Sequence, residues 1–169
     1  MPVTFANEKP KIDPTALFKL TYGLFVVTAK CERDNGCISN SVIQIAENPV
    51  RLAVSLQKGN LTRELIEKSG VLNVSVLSDD VPFELIRHFG MQSGRNVDKF
   101  ADFSDAGVSL NDLKYINKYT NAFFSAKVIS KTNLGSHMLF IAEVTESKVL
   151  GDENSCTYAH YHKSIKPKF

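Results

Sequence analysis

Three short stretches of the chain hold side chains able to bind or position a ligand. In NLGSHMLFIAEV, residues 133 to 144, His137 follows Gly135 and Ser136 where a turn gives way to Met138, Phe140 and Ala142. Its ring either covers a strand end as a surface turn residue or faces a bound ligand. In SLQKGNLT, residues 55 to 62, a strand is expected to end near Gln57. Lys58 then brings a cation, Gly59 permits close backbone approach, and Asn60 opens a helix whose first amides have no partner inside it. These conditions suit a phosphate. A helix N-terminus favours an anion by about 0.3 to 1 kcal/mol when exposed and up to about 2 when partly buried, which leaves much to Lys58, Asn60 and Thr62. Ordinary helix capping explains the same residues at least as well. In CISNSVIQ, residues 37 to 44, Ser39, Asn40 and Ser41 interrupt an otherwise apolar strand. Asparagine is depleted in strands and costly to bury unpaired, so solvent, a bulge or the polar edge of a planar ligand must satisfy it.

Other chemistries are less well served. His160 and His162 form an HxH pair on a presumed strand at CTYAHYH, and with His137 they would make a metal triad. No carboxylate completes such a site, and no metal is assigned. His88 reads as a helix C-terminal residue favoured by the helix dipole. Cys31, Cys37 and Cys156 match neither a CxxC pair nor a zinc ribbon. Cys31 and Cys37 flank ERDNG and are placed across a hairpin from each other, as free thiols in a reducing cytoplasm. There is no GxSxG elbow, no carboxylate pair for glycoside chemistry, no GxGxxG after a strand and no GxxxxGK[ST]. Hydride or electron transfer fits such a chain, because a bound cofactor performs the difficult step.

The elements that must position these residues follow from punctuation and periodicity. Asp13 before Pro14 reads as a cap opening a short helix through Leu17, Phe18 and Leu20. LFVVTAKC, a DNG turn and GCISNSVIQIA read as a hairpin, followed by strands at RLAVSLQ and VLNVSVL. VLNVSVL alternates, with Val71, Asn73, Ser75 and Leu77 on one face and Leu72, Val74 and Val76 on the other. Between these two strands LTRELIEKSG has helical spacing at Leu61, Leu65 and Ile66, capped by Asn60 and stopped by Gly70. DDVPFELIRHFG repeats the pattern with an acidic cap, Pro82 in the first turn and Gly90 as the stop. MQSGRNVDKFADFSDAG is too long for a simple connector and reads as a functional loop. AFFSAKVISKT and HMLFIAEVTESKVL follow as strands joined by TNLG. Six or more strands with tight turns favour an antiparallel barrel over a parallel α/β sheet.

The 169 residues suit one domain, with 43% hydrophobic and 22% charged residues. The net charge of +2 gives no nucleic-acid footprint. No apolar run reaches a membrane span, and MPVTFANEKPK lacks a signal-peptide core, so a cytoplasmic protein is expected.

Taken in order, YGLFVVTAK, NGCISNSVIQIAENPVRLAVSLQKGNLTRELI, SGVLNVSVLS, HFGMQSGRNVDKF, LGSHMLFIAEV and TYAHYH resemble the flavin reductase-like, FMN-binding split-barrel family. Within it the chain is most similar to the flavin reductase domain of high-molecular-weight rubredoxins and to flavoredoxin-type proteins. The resemblance spans about residues 14 to 163 of a single domain, 1 to 169, with a basic tail at 164 to 169. It implies a mainly β fold with short helices, a six-stranded antiparallel Greek-key split barrel. It also implies a homodimer with non-covalent FMN near the subunit interface and NAD(P)H as electron donor.

By that resemblance, Ser39, Asn40 and Ser41 run along the isoalloxazine and ribityl, and Gln57, Lys58, Asn60 and Thr62 form the phosphate segment. Arg95 and Lys99 approach the cofactor or the pyridine nucleotide, and His137 positions the nicotinamide. The implied function is an NAD(P)H-dependent flavin reductase passing electrons to free flavin, rubredoxin or another small acceptor. A flavoredoxin-like carrier reduced by a partner protein and a non-catalytic flavin-binding protein are the alternatives. No rubredoxin segment with CxxC pairs follows residue 163, so a separate acceptor is expected. His160 stands where relatives are expected to carry an aromatic residue.

Overall fold

A computed structural model describes residues 9–169 of the chain; MPVTFANE, part of the stretch read as lacking a signal-peptide core, lies outside the described residues. Asp13 accepts from the Thr15 amide and opens a short, tightly wound helix, Pro14–Lys19, none of whose residues is buried. The main sheet contains β1 (Phe25–Lys30), β2 (Asp34–Ser39), β3 (Val42–Glu47), β4 (Val50–Gln57), β5 (Val71–Leu77), β8 (Thr120–Asn133) and β9 (His137–Val149). All its pairings are antiparallel, in the order β2-β1-β5-β8-β9-β4-β3. A separate two-stranded ribbon joins β6 (Ala106–Val108) to β7 (Lys114–Ile116).

The sheet rolls around its own apolar face. Val27 and Val74 from one half meet Val42, Val54 and Phe140 from the other in one buried cluster. The two edge strands, β2 and β3, are consecutive in the chain and run into each other through a bend at Asn40 and Ser41. No ladder joins them. The bend is held to β4 instead: the Ser55 amide donates to the Ser41 carbonyl at 3.0 Å, and Ser39 Oγ donates to the Ser55 carbonyl at 3.4 Å. The result is a barrel split along one seam.

Helix α1 (Leu61–Ser69) connects β4 to β5, packs on β1 and β2, and buries Leu65 and Ile66. Asn60 accepts from the Thr62 amide at its start, and Gly70 ends it at φ 73°, in the left-handed region that glycine enters without a Cβ penalty. Helix α2 (Phe83–Gly90) packs against β2, and on that outer side Leu24, Val26, Leu77, Ile86, Phe89 and Phe100 form a second buried cluster that reaches β1 and β5. Strand β5 is therefore enclosed on both faces. The alternation of VLNVSVL does not divide wet from dry, because Asn73 and Ser75 are buried under residues 109 to 116. Asn73 Nδ2 donates to Ser109 Oγ at 2.7 Å, and Ser75 Oγ accepts from the Ile116 amide at 2.9 Å.

Several local expectations are corrected. The β1–β2 turn is Cys31–Arg33, not DNG, and Asn35 and Gly36 lie within β2 opposite Ala29 and Thr28. Gly36 serves packing here: a Cβ would sit 3.1 Å from both a Phe89 ring carbon and Thr28 Cγ2. GCISNSVIQIA is two strands rather than one, and the main sheet has seven strands where the resemblance implies six. Cys37 pairs with Val27 while Cys31 lies in the turn, so the two thiols do not face each other; all three cysteines are free. No acidic side chain caps α2: Pro82 occupies that position, and Asp80 accepts from Ser78 Oγ. CTYAHYH is helical from Tyr158, with α3 (Tyr158–His160) continuing in a wider turn to Ile165. Thr157 accepts from the His160 amide, and that local cap wins over the β-like composition of the stretch.

Candidate functional site

A cavity of about 760 Å³ opens where the β2–β3 bend, the C-terminal end of β4, the start of α1 and the segment after α2 converge. The seam of the split barrel thus becomes a ligand-sized space. Ser39, Asn40 and Ser41 line it, and Ser39 Oγ accepts from the Ser41 amide at 3.1 Å while Ser41 Oγ donates to Asn40 Oδ1 at 3.1 Å. The polar residues that interrupt the strand pattern are those that turn the chain at the cavity wall.

The start of α1 supplies the second wall. Gln57, Gly59, Asn60 and Leu61 line the cavity, and the Asn60 side chain takes the Thr62 amide at 2.9 Å. The Leu61 and Arg63 amides have no acceptor within the helix. Arg63 donates to the Lys58 carbonyl and pairs with Glu67, and the Lys58 amide donates to the Ser136 carbonyl at 3.0 Å. This last bond joins the 57–60 turn to the turn before β9. Gln57 and His137 are direct cross-strand partners, which is how residues eighty positions apart come to line one cavity. His137 is half-buried, and its Nδ1 is 2.8 Å from Ser136 Oγ.

Lys99 closes the third side. It is 3% exposed and lines the cavity, and its ammonium donates at 2.8 Å to the Gly36 and Phe89 carbonyls. Its partners are two carbonyl oxygens rather than a carboxylate, and burial pushes its pKa below the ordinary lysine value. Cys37, also on the wall, has its thiol pushed up by burial, opposed by the Thr62 hydroxyl, the Lys99 charge and the Asn60 side chain. A buried cation with no anion beside it is costly, so an anionic ligand at this corner is favoured.

Of the ten residues singled out in the sequence, Ser39, Asn40, Ser41, Gln57, Asn60, Lys99 and His137 line this one cavity. Lys58, Thr62 and Arg95 are not among its lining residues. Thr62 is 0% exposed, and Arg95 forms a 2.5 Å ion pair with Glu64 on α1. His160 and His162 do not line the cavity with His137; His160 Nε2 is 3.0 Å from the Asp79 carbonyl, and His162 packs edge-on to Tyr158. Among the described residues no group of three His, Cys, Asp or Glu side chains is placed to hold a metal ion.

This arrangement has known counterparts. Residues 17–167 match the family model described as a flavin reductase like domain. The chain belongs to that family. Among flavin reductase like proteins it is 41% identical over 153 residues to the high molecular weight rubredoxin of Moorella thermoacetica, covering 90% of this chain and 66% of that protein. It is 35% identical over 158 residues to the ferric-chelate reductase (NAD(P)H) of Archaeoglobus fulgidus, covering 93% of each. An FMN-binding protein from Thermus thermophilus shares the fold, with a TM-score of 0.74 at 19% identity, covering 86% of this chain and 80% of that one.

Within this flavin reductase like domain, the wall also includes residues that the sequence did not single out. Asn35 was hidden in an apparent turn and Gly94 in the long loop; Tyr158 and Tyr161, which the sequence suits to a subunit contact or a flat ligand, also line the cavity, from a helix rather than a strand. The available signal was length: with the turn at Cys31–Arg33, β1 and β2 become equal six-residue partners, and Asn35 falls inside the sheet.

Proposed function

We propose that this chain binds FMN non-covalently in the cavity and acts as an NAD(P)H-dependent flavin reductase, passing electrons to free flavin, rubredoxin or another small acceptor. The observation that carries the reading is the buried Lys99 ammonium, paired only with carbonyls, on the wall of a cavity that also holds the open end of α1. Its volume falls within the roughly 300 to 1,000 Å³ of ordinary ligand pockets. The donor set suits the cofactor: amides, Asn60 and Lys99 for a phosphate, and hydroxyl and carboxamide groups for a planar polar edge. Bound there, FMN would supply the ring that accepts hydride and releases electrons.

The protein's own contribution is orientation. Ser39, Asn40 and Ser41 offer short donors and acceptors along the β2–β3 bend. Gln57 and Asn60 flank the anion corner, with Lys58, Thr62 and Arg95 supporting it. His137, at the start of β9, is assigned to placing the nicotinamide; hydride transfer requires no proton from it.

The same reading extends to assembly and place. A homodimer with the cofactor near its interface accords with the exposed Ile12, Leu17, Phe18 and Leu20 at one surface and Ile43 and Ile45 on β3. A rubredoxin-like acceptor accords with the similarity to the high molecular weight rubredoxin. A cytoplasmic location accords with three free thiols; among the described residues no helix is long and apolar enough to cross a membrane. Steady-state oxidation of NADH or NADPH by the pure protein with FMN tests the enzyme reading. Turnover supports it; FMN binding without turnover leaves a carrier or a binding protein.

A further inference from the structure

We infer that Asn35 is a positioning residue that sets the cavity's preference for a phosphorylated ligand, by locking the first turn of α1 and the segment after α2 to strand β2. The inference deepens the FMN reading above and rests on it. Asn35 is 3% exposed, within a strand, where an unpaired carboxamide is costly. Its Nδ2 donates to Thr62 Oγ1 at 2.9 Å, and Thr62 in turn gives its amide to Asn60 Oδ1 at 2.9 Å. Strand, helix and helix cap are thereby joined in one chain of hydrogen bonds. This chain fixes the direction in which the open amides of Leu61 and Arg63 point.

The other end of the same side chain receives the loop. A Cβ on Gly94 would lie 2.0 Å from Asn35 Oδ1 and 2.6 Å from its Cγ, so the loop backbone rests directly on the carboxamide. The Gly94 carbonyl accepts from Arg33 Nη2 at 2.5 Å, Arg95 pairs with Glu64, and Lys99 donates to Gly36. The segment from Gly90 to Gly94, which lines the cavity, is thus held at the same corner as the start of α1. One side chain registers both. Asparagine suits the place because it donates to Thr62 while remaining neutral; aspartate has the same shape but would accept only and would carry a negative charge into the anion corner.

The test compares FMN with riboflavin, which differ by the phosphate, as ligands of the purified full chain, by quenching of flavin fluorescence. Wild type is expected to prefer FMN. Asn35→Asp is expected to reduce that preference by about tenfold or more, the scale of a negative charge set beside the anion corner; the Thr62 hydroxyl can turn to donate to it. Riboflavin affinity should stay within about twofold, because a role confined to this corner leaves the ring contacts intact. Gly94→Ala approaches the same contact from the loop and should lower the FMN preference without changing any charge; it decides the matter should Asn35→Asp not fold. Equal losses for both ligands, or an unchanged preference in the folded variants, would overturn the role of Asn35. Wild type that binds neither flavin would instead sink the FMN reading.

Discussion

His137 and Lys99 line the same cavity but are asked for different things. The ring at the start of β9 is assigned to the nicotinamide, so His137→Ala should raise KM for NAD(P)H by about tenfold while FMN affinity changes little, as for a residue that contributes binding to one ligand only. The reverse pattern would place the ring at the flavin instead. Lys99 makes a pH prediction. Burial lowers its pKa from 10.5, so the folded chain holds that proton less tightly than the unfolded chain does. Below the folded pKa the buried ammonium costs stability, and the cost fades as pH rises from there towards 10.5. The same proton loss removes the cavity's buried cation. The preference for FMN over riboflavin should therefore fall on the alkaline side, beginning below pH 10.5, and Lys99→Met should lack that limb. The thiols offer a simpler check: Cys31 is exposed, whereas Cys37 and Cys156 are buried and burial pushes the Cys156 thiol up to about 11. An aromatic disulfide reagent should modify one thiol per native chain quickly and the other two only on unfolding.

At the scale of elements, the placing of α1 decides whether an anion corner exists. Gly70 closes the helix in the left-handed region with open space where a Cβ would go, so Gly70→Ala meets no clash and only backbone strain. It should cost about 1 to 2 kcal/mol in denaturant unfolding and leave FMN affinity intact, since the far end of the helix carries the site. Both boundaries of α1 were legible in the sequence because each is signalled locally, by Asn60 and by Gly70. The β1–β2 turn was not. DNG is a strong turn signal, but Gly36 is required by the close approach of Phe89 and Thr28, a tertiary contact that no local pattern records. The helix at Tyr158 was missed for a related reason: aromatic residues favour strands in isolation, and here Thr157 capping and packing of Tyr161 in the second core decide otherwise. Much of the proposed site was legible because polar residues inside an apolar strand are conspicuous. Asn35 was not, because polar residues in an apparent turn are ordinary.

For the whole molecule, the rolled sheet gives a cavity at its seam and leaves large apolar side chains on the outside. Ile43 is 63% exposed and Phe18 74% exposed, and the proposed homodimer would cover such side chains. Light scattering after size exclusion should give twice the chain mass, and Ile43→Asp combined with Ile45→Asp should shift it towards one. A wild-type monomer at micromolar concentration would remove the dimer from the account. The central claim is narrower and more directly reached. Anaerobic addition of NADH or NADPH to the FMN-loaded protein, followed through the visible flavin absorbance, should bleach that band at a rate that saturates with nucleotide. Tight FMN binding with no bleaching by either nucleotide would contradict the claim that this cavity serves a reductase.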